Sequence, residues 1–230
     1  MPYGVAMPGD RTLRERDDTS TRLLDAAERI FATRGIEAAS VRAITDAAGA
    51  NVAAVRYHFG SKQDLVKALV ERRVEEMAEC RRPLFDAAMR RDTVTSRDIA
   101  EAWVRPLAAM ALDGRGTRRA YLSFIVVIQG ASPELRAMTS AAFQPQHKQF
   151  APLLERALPD IPEAVRWFRF ALAAESTVRA LANLDRARAP WTAHGGIDDA
   201  DVVEHLVDAM AGLLDSPCST PPANRAPSAR

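Results

Sequence analysis

Helix start and stop signals follow one another closely from Ser40 onward, and they leave room only for very short helices. Ser40 is suited to begin a helix over Val41 to Ala48, and Gly49 is suited to end it. Asn51 is suited to cap a further short helix, Val52 to His58. Two helices of about two turns each, joined at a glycine, have the length and turn of a helix-turn-helix.

Longer helices are predicted on both sides of this pair. From Thr19 onward, apolar residues recur at helical spacing, and Gly35 follows the last of them as a stop signal. The run Ser61-Lys62-Gln63-Asp64 reads as a capping box for a long fourth helix, which we expect to end before Pro83. Residues 1–19 are polar and rich in turn formers, and we predict a flexible arm there.

The remainder of the chain is also helical by its hydrophobic period. Helices are predicted roughly over residues 96–112, 117–129, 162–187 and 198–215. The proline-rich segment 216–230 has no such period, and we expect it to be disordered. We therefore predict an all-α chain with an N-terminal three-helix helix-turn-helix domain over residues 20–66 and a second helical domain over residues 67–215.

Composition and motifs exclude several other classes of protein. The chain has a net charge of +1 and is 47% hydrophobic, so bulk positive charge cannot be its means of binding nucleic acid. No apolar run approaches the roughly 18 residues of a membrane span, and the N-terminus lacks the apolar core of a secretory signal. Cys80 and Cys218 do not form a disulfide framework, which favours a reducing cytoplasm. The four histidines lack metal-ligand spacing and no catalytic motif is present, so we expect no enzyme activity, no metal and no cofactor.

The short helix after Gly49 carries the residues that fit a DNA-binding surface. In a helix-turn-helix the second helix enters the major groove, with its N-terminal end against the base edges. Small side chains at Ala50, Ala53 and Ala54 permit a close approach, and Arg56 and Tyr57 project from the same helix. A solvated surface charge is the other interpretation of Arg56, since any small helical bundle has short helices and glycine turns.

The same segment resembles the TetR family of bacterial repressors over about residues 20–70. The resemblance rests on Leu23-Leu24-Asp25-Ala26-Ala27, on Ala48-Gly49 and on Tyr57-His58-Phe59-Gly60-Ser61-Lys62. It implies an all-helical homodimer with a DNA-reading domain and a C-terminal domain for ligand binding and dimerisation. By position, Ser40, Tyr57 and Lys62 match phosphate contacts, and the groove-facing positions are Ala50, Asn51, Ala53, Ala54 and Arg56. Arg56 stands where the family often has Tyr or Asn, so the base preference is expected to differ.

Beyond residue 70 the resemblance is narrower. The run Ser132-Pro133-Glu134-Leu135-Arg136, the helix over residues 162–187 and the variant Val52-Ala53-Ala54-Val55 are similar to the subgroup typified by the fatty-acid-responsive regulator PsrA. That similarity implies a lipophilic effector such as a fatty acid or acyl-CoA. Candidates to line an apolar ligand site are Trp103, Tyr121, Phe124, Ile128, Phe143, His147, Trp167 and Phe170. Ordinary core packing explains each of them singly as well.

The apolar surface of the helix over residues 162–187 is too broad for one small domain to cover, which favours pairing with a second copy. The candidate dimer residues on this helix and the last one are Phe168, Leu172, Val178, Leu206, Met210 and Leu213. The other interpretation is a helix central to its own domain.

These observations predict a homodimeric repressor that binds a palindromic DNA operator and is released from it by a hydrophobic small molecule. Two alternatives stay open at this stage. One is a ligand-independent repressor or an activator of the same family, and the other is a helical lipid-binding protein without DNA function.

Overall fold

The computed structural model describes residues 8–112, 116–184 and 196–217, and within that part of the chain it contains ten α-helices and no strand. The helices are α1 (Pro8–Arg34), α2 (Val41–Ala48), α3 (Ala53–His58), α4 (Lys62–Met89), α5 (Ser96–Leu112), α6 (Gly116–Gln129), α7 (Pro133–Gln149), α8 (Ala151–Ala157), α9 (Glu163–Ala182) and α10 (Asp199–Leu214). The all-α prediction is confirmed, and the predicted bounds of α2 and α5 coincide with the observed ones.

Two boundaries near the N-terminus are corrected. Helix α1 begins at Pro8, so residues 8–19 are helical where the sequence predicted a turn-rich arm, and residues 1–7 lie outside the described part. That this stretch is flexible stays a prediction. Proline is well suited to the first turn of a helix. The sequence analysis missed this start because helices were predicted from periodic apolar residues, and this polar stretch has none. Helix α4 continues through Pro83 to Met89. Pro83 removes one backbone hydrogen bond, but the buried side chains of Arg81 and Ala88 hold the helix on either side of it.

The C-terminal boundaries are only partly described. Helix α9 ends at Ala182 and not near residue 187, and residues 185–195 lie outside the described part. Helix α10 agrees with the predicted last helix to within a residue at each end. Of the tail that we expected to be disordered, residues 216 and 217 are described without helix and residues 218–230 lie outside. In the described ranges, no helix combines the length and the apolar character that crossing a lipid bilayer demands.

Backbone contacts divide the chain into two units, and neither is a continuous stretch. Unit 1 comprises the described part of Met1–Met77 together with Met110–Pro145, and unit 2 comprises Ala78–Ala109 with the described part of Gln146–Arg230. Helices α4, α5 and α7 each contribute residues to both units. The division does not fall at residue 66, and a ligand-binding and dimerisation domain over residues 67–215 stays a prediction.

In unit 1, α1 is the central element and packs on α2 and α6. The Phe31 ring of α1 stacks on the Phe124 ring of α6, with centroids 5.9 Å apart and planes inclined by 21°. Both rings are fully buried, as are Leu23, Ile44 and Leu65. Burying such side chains contributes roughly 1.5–3 kcal/mol each, so the short helices α2 and α3 are held by this core more than by their own propensity.

In unit 2, α9 packs along α10. The buried guanidinium of Arg169 on α9 donates a hydrogen bond of 2.8 Å to the carbonyl oxygen of Leu214, in the last turn of α10. That bond satisfies one of the carbonyls that a helix end leaves without a partner. The Arg169 side chain is therefore turned toward the interior of unit 2.

Candidate DNA-binding surface and ligand site

The turn between α2 and α3 is fixed by the capping residues that the sequence predicted. The Ala43 backbone N–H donates to Ser40 Oγ at 3.1 Å, which caps α2. Gly49 ends α2 in the left-handed conformation, with φ of 60°, and its N–H donates to Asp46 O. Asn51 Oδ1 accepts a 2.9 Å hydrogen bond from the Ala53 N–H and so caps α3. The caps set where α3 begins and which face it exposes.

The exposed face of α3 contains most of the predicted groove-facing residues. Asn51, Ala53 and Arg56 are exposed, and Tyr57 is 65% exposed. Ala50 and Ala54 are half-buried, and neither is in the core. Sequence reasoning missed Val52, which is 51% exposed at the start of α3. Its neighbours in the sequence are also exposed, and an apolar side chain placed there is suited to the methyl group of thymine.

Lys62, predicted to contact phosphate, also has a structural role. Its Nζ donates to the carbonyl oxygens of Ala39 at 2.8 Å and Glu37 at 3.2 Å. These carbonyls belong to the loop that leads from α1 into the Ser40 cap of α2. The Lys62 side chain is half-buried, and it ties the start of α4 to the start of α2. Its phosphate contact stays a prediction.

His58 is the last residue of α3, and Phe59 follows it. Both are half-buried, and the His58 ring lies 5.0 Å from the Tyr57 ring and 6.2 Å from the Phe59 ring, centroid to centroid. This supports a packing role for His58. Within the described residues, no group of His, Cys, Asp and Glu side chains is placed to hold a metal ion.

A buried ion-pair cluster joins α1 to α4 inside unit 1, and the sequence analysis did not find it. Glu28 is fully buried and accepts hydrogen bonds from Arg73, whose Nε lies 2.8 Å from Glu28 Oε1. Arg73 also pairs with Glu76, and Arg72 pairs with Asp25 at 2.9 Å. Burial raises the pKa of Glu28, and the hydrogen bond and charge of Arg73 oppose that rise. The cluster ties α1 to α4, the helices that precede and follow the α2–α3 pair.

Four of the eight predicted ligand residues come together in unit 2. The Phe170 ring lies 5.1 Å from Trp103, 6.2 Å from His147 and 6.0 Å from Trp167, between centroids. Trp103 and Phe170 are buried, Trp167 is half-buried, and His147 keeps part of its side chain exposed at the edge of the group. Sequence reasoning did not include Arg81, whose guanidinium carbon lies 3.9 Å from the centroid of the Trp103 ring.

The other four predicted ligand residues belong to unit 1, so the structure does not gather all eight in one unit. Tyr121, Phe124 and Ile128 on α6 are buried, and Phe143 is half-buried. Phe124 stacks on Phe31 and is part of the core between α1 and α6. Tyr121 lies beneath the Arg73 guanidinium, 5.9 Å from it. Tyr121 and Phe124 are accounted for by packing.

The predicted dimer residues separate into exposed and buried groups. Phe168 is 69% exposed and Leu172 is 45% exposed, one turn apart on α9. Leu206 and Leu213 are half-buried. Val178 is 8% exposed and Met210 is 2% exposed, so these two face the interior of unit 2. Burial within a single chain does not favour a place for them at a dimer interface, and that assignment stays a prediction.

Comparison with known proteins identifies the family. Residues 23–69 match the profile of "Bacterial regulatory proteins, tetR family", and residues 101–212 match "Tetracyclin repressor-like, C-terminal domain". The chain belongs to the TetR family. Both matched families are transcriptional regulators and not enzymes, as predicted. The PsrA subgroup is not confirmed, and that finer assignment stays a prediction.

Curated relatives of this TetR-family chain match it in sequence over a short segment only. The transcriptional regulator TtgR of Pseudomonas putida is 36% identical over 61 residues, which are 26% of this chain and 29% of TtgR. The matched segment therefore spans less than a third of that relative.

Solved structures are similar over much more of the chain. NalD of Pseudomonas aeruginosa, the secondary repressor of the MexAB-OprM multidrug efflux pump, superposes with a TM-score of 0.59 at 19% identity, covering 86% of this chain and 95% of NalD. FadR of Bacillus subtilis in complex with stearoyl-CoA gives a TM-score of 0.57 at 14% identity, covering 83% and 97%. At these identities the likeness shows a shared fold.

Proposed function

We propose that this chain is a DNA-binding transcriptional repressor of the TetR family. The observation that carries the proposal is the exposed face of α3. It presents small residues at its N-terminal end, with Arg56 and the largely exposed Tyr57 beyond them. A helix with a small-residue end can approach base edges closely, and longer polar side chains further along reach the backbone. Family membership and the names of the relatives support the same conclusion.

A band-shift assay with the DNA upstream of the protein's own coding sequence tests this proposal. The full-length chain should retard that DNA in the presence of unrelated competitor, and Tyr57→Ala should weaken binding to every sequence by a similar factor. Arg56→Ala should instead change which operator is selected from a random library, because base contacts carry sequence preference. If retardation vanishes whenever competitor is present, sequence-specific DNA binding is wrong.

Salt dependence separates the two roles of Lys62. A phosphate contact contributes to the slope of log affinity against log salt, so Lys62→Met should lower its magnitude by about 1. If Lys62 only ties the loop before α2, affinity should fall with the slope unchanged. Lys67→Met is the matched control, since Lys67 is an exposed residue of the same helix that pairs with Glu71 at 3.8 Å.

We further propose that two copies pair through α9 and bind a palindromic operator. The exposed Phe168 and Leu172 are large apolar side chains on one face of that helix, and burying them against a second copy is favourable. Two reader helices related by a twofold axis fit successive major grooves about 34–36 Å apart.

The signal for release is proposed to be an apolar small molecule. Support comes from the aromatic rings gathered in unit 2 and from the FadR structure solved with stearoyl-CoA, a likeness that extends only to fold. A ligand lowers DNA affinity only if it binds the DNA-free arrangement more tightly. Stearoyl-CoA added to the band-shift assay should therefore release the operator, whereas coenzyme A without its acyl chain should not. Equal effects of the two would argue against an apolar effector.

A further inference from the structure

Unit 2 contains a set of aromatic rings arranged around one tryptophan. Trp103 on α5 is 4% exposed, and its ring lies 5.5 Å from Phe150 and 5.1 Å from Phe170, between centroids, with both pairs edge to face. The His147 ring lies 5.6 Å from the Trp103 ring. We call these four residues the tryptophan cluster. Its aromatic faces provide an apolar environment for part of a ligand.

A positive charge is buried against this cluster. Arg81 on α4 is 5% exposed, its guanidinium carbon lies 3.9 Å from the Trp103 ring centroid, and its Nη1 donates to Gln146 Oε1 at 2.9 Å. The position over the ring face is that of a cation–π contact. The charge acts on the neighbouring imidazole as well. Desolvation, followed by repulsion from Arg81, lowers the pKa of His147.

The indole N–H of Trp103, a polar group of the cluster itself, lacks a partner. The indole Nε1 of Trp103 is buried and donates no hydrogen bond to any of the described residues. An indole N–H can only donate, so what it lacks is an acceptor. A buried donor without an acceptor is costly, and such groups in native proteins call for an explanation. The tryptophan cluster thus places an unsatisfied donor among apolar rings, and the buried Arg81 cation lies against them.

We propose that the tryptophan cluster and Arg81 bind the carboxylate of an apolar ligand. The carboxylate supplies the acceptor that Trp103 Nε1 lacks and is attracted by the Arg81 charge, while the apolar body of the ligand packs on the rings. A neutral acceptor would satisfy the indole but would gain little from a buried cation, which is why an anion is favoured. This inference rests on the proposed regulation by an apolar small molecule, and it names the chemical class of that molecule.

Calorimetric titration of the full-length protein with decanoate and with 1-decanol tests the assignment without DNA. The two probes share a chain length and differ in the charged head group. Decanoate should bind the wild type at least about tenfold more tightly than 1-decanol, since a hydrogen bond to a charged group contributes more than a neutral one. Equal binding of the two probes, or no saturable binding of decanoate below its micelle concentration, would overturn the proposal.

Substitutions then show which residues cause the preference for decanoate over 1-decanol. Trp103→Phe keeps the ring and removes the donor, and it should reduce the decanoate preference; Arg81→Met should abolish that preference. Arg90→Met is the matched control, because Arg90 is exposed just beyond the end of α4, and it should retain the full preference. An undiminished preference in Arg81→Met would contradict the site. The comparison of decanoate with 1-decanol on the wild type tests the proposal even if a variant does not fold.

The outcome for this site is independent of the outcome for DNA binding. If the carboxylate preference holds but the band shift fails, the ligand site stands and the proposed repressor function is wrong. If the operator is bound and then released by stearoyl-CoA while decanoate shows no preference, the function stands and the carboxylate site is wrong.

Discussion

Gly49 shows how much of the candidate DNA-binding surface depends on one backbone conformation. It holds a φ of 60° at the end of α2, and the N–H of the following Ala50 donates to Thr45 O at 2.9 Å. Any other residue in this left-handed conformation brings its Cβ close to the following carbonyl oxygen. The turn that aims α3 outward therefore requires glycine for its conformation and not for its size.

Alanine substitutions at two glycines distinguish the effect of backbone conformation from the effect of steric clash. A Cβ added at Gly49 or at Gly212 meets no atom within 4 Å. Gly49→Ala should lower the free energy of unfolding by about 1–2 kcal/mol through backbone strain alone. Gly212→Ala, inside α10, should raise it by about 0.5–1 kcal/mol. Urea denaturation of both variants checks this, and a loss at Gly212 as large as that at Gly49 would contradict the explanation.

The environment of His147 indicates that the stability of the protein depends on pH. Its pKa in the folded protein is lowered, chiefly by desolvation of the ring that packs on Trp103 and Phe170. The unfolded chain therefore binds more protons than the folded one as pH falls below about 6.5, and stability should decrease there. Denaturation at about pH 7.5 and about pH 5 should show a smaller decrease for His147→Gln than for the wild type. His205→Gln, at an exposed residue of α10, should keep the wild-type decrease.

At the scale of the elements, α4 makes polar contacts with three other parts of the chain. Its first residue, Lys62, binds the carbonyls before α2, Arg73 pairs with Glu28 of α1, and Arg81 stacks on Trp103 of α5. The buried positions Leu69, Arg73, Met77 and Arg81 recur at four-residue spacing. The two arginines thus lie on the buried side of the helix, which explains why a search for apolar periodicity alone missed them.

Substitutions of Glu28 on α1 and Arg73 on α4 should have strongly non-additive effects on stability. Glu28→Gln removes the buried carboxylate and leaves Glu76 as the remaining ion-pair partner of Arg73. The loss of stability should therefore be at most the roughly 3–5 kcal/mol of a fully broken buried pair. In the double variant Glu28→Gln/Arg73→Met no uncompensated buried charge remains, so its loss should be smaller than the sum of the two single losses. Chemical denaturation of the wild type, the two single variants and the double variant gives the coupling free energy. Strict additivity would show that the two charges do not interact.

At the scale of the whole molecule, α9 combines a covered face and an uncovered one. Arg169, Phe170 and Val178 are buried within unit 2, whereas Phe168 and Leu172 are among the most exposed large apolar side chains in the described part of the chain. The covered face packs on α10 and the aromatic rings. The uncovered face is the one proposed to meet a second copy.

Charged substitutions on that face should dissociate the proposed dimer. A carboxylate buried at the interface has no partner and costs several kcal/mol, so Phe168→Asp or Leu172→Asp should shift the protein toward monomer in sedimentation velocity runs. Ala151→Asp adds the same charge to the exposed first turn of α8 and is the control, which should sediment like the wild type. A wild type that is monomeric at every concentration would contradict pairing through α9.

Local signals in the sequence determined where most helices begin and end. Ser40, Gly49 and Asn51 specify their caps through hydrogen bonds to near neighbours, so α2 and α3 could be predicted with their exposed face. The limits of α1 and α4 could not, because Pro8 and Pro83 are stop signals only where no packing or favourable first turn compensates.

Only the tertiary structure decided which side chains meet. Glu28 and Arg73 are 45 residues apart, and Arg81 and Gln146 are 65 apart; no periodicity within one helix can indicate that such residues touch. The same holds for Val178 and Met210, which the sequence analysis placed at a surface and which are buried in the folded chain. Helix caps act over three or four residues, whereas burial depends on how distant helices pack. For that reason the sequence alone determined the limits of α2 and the exposed face of α3, while folding decided which candidate ligand and dimer residues are buried.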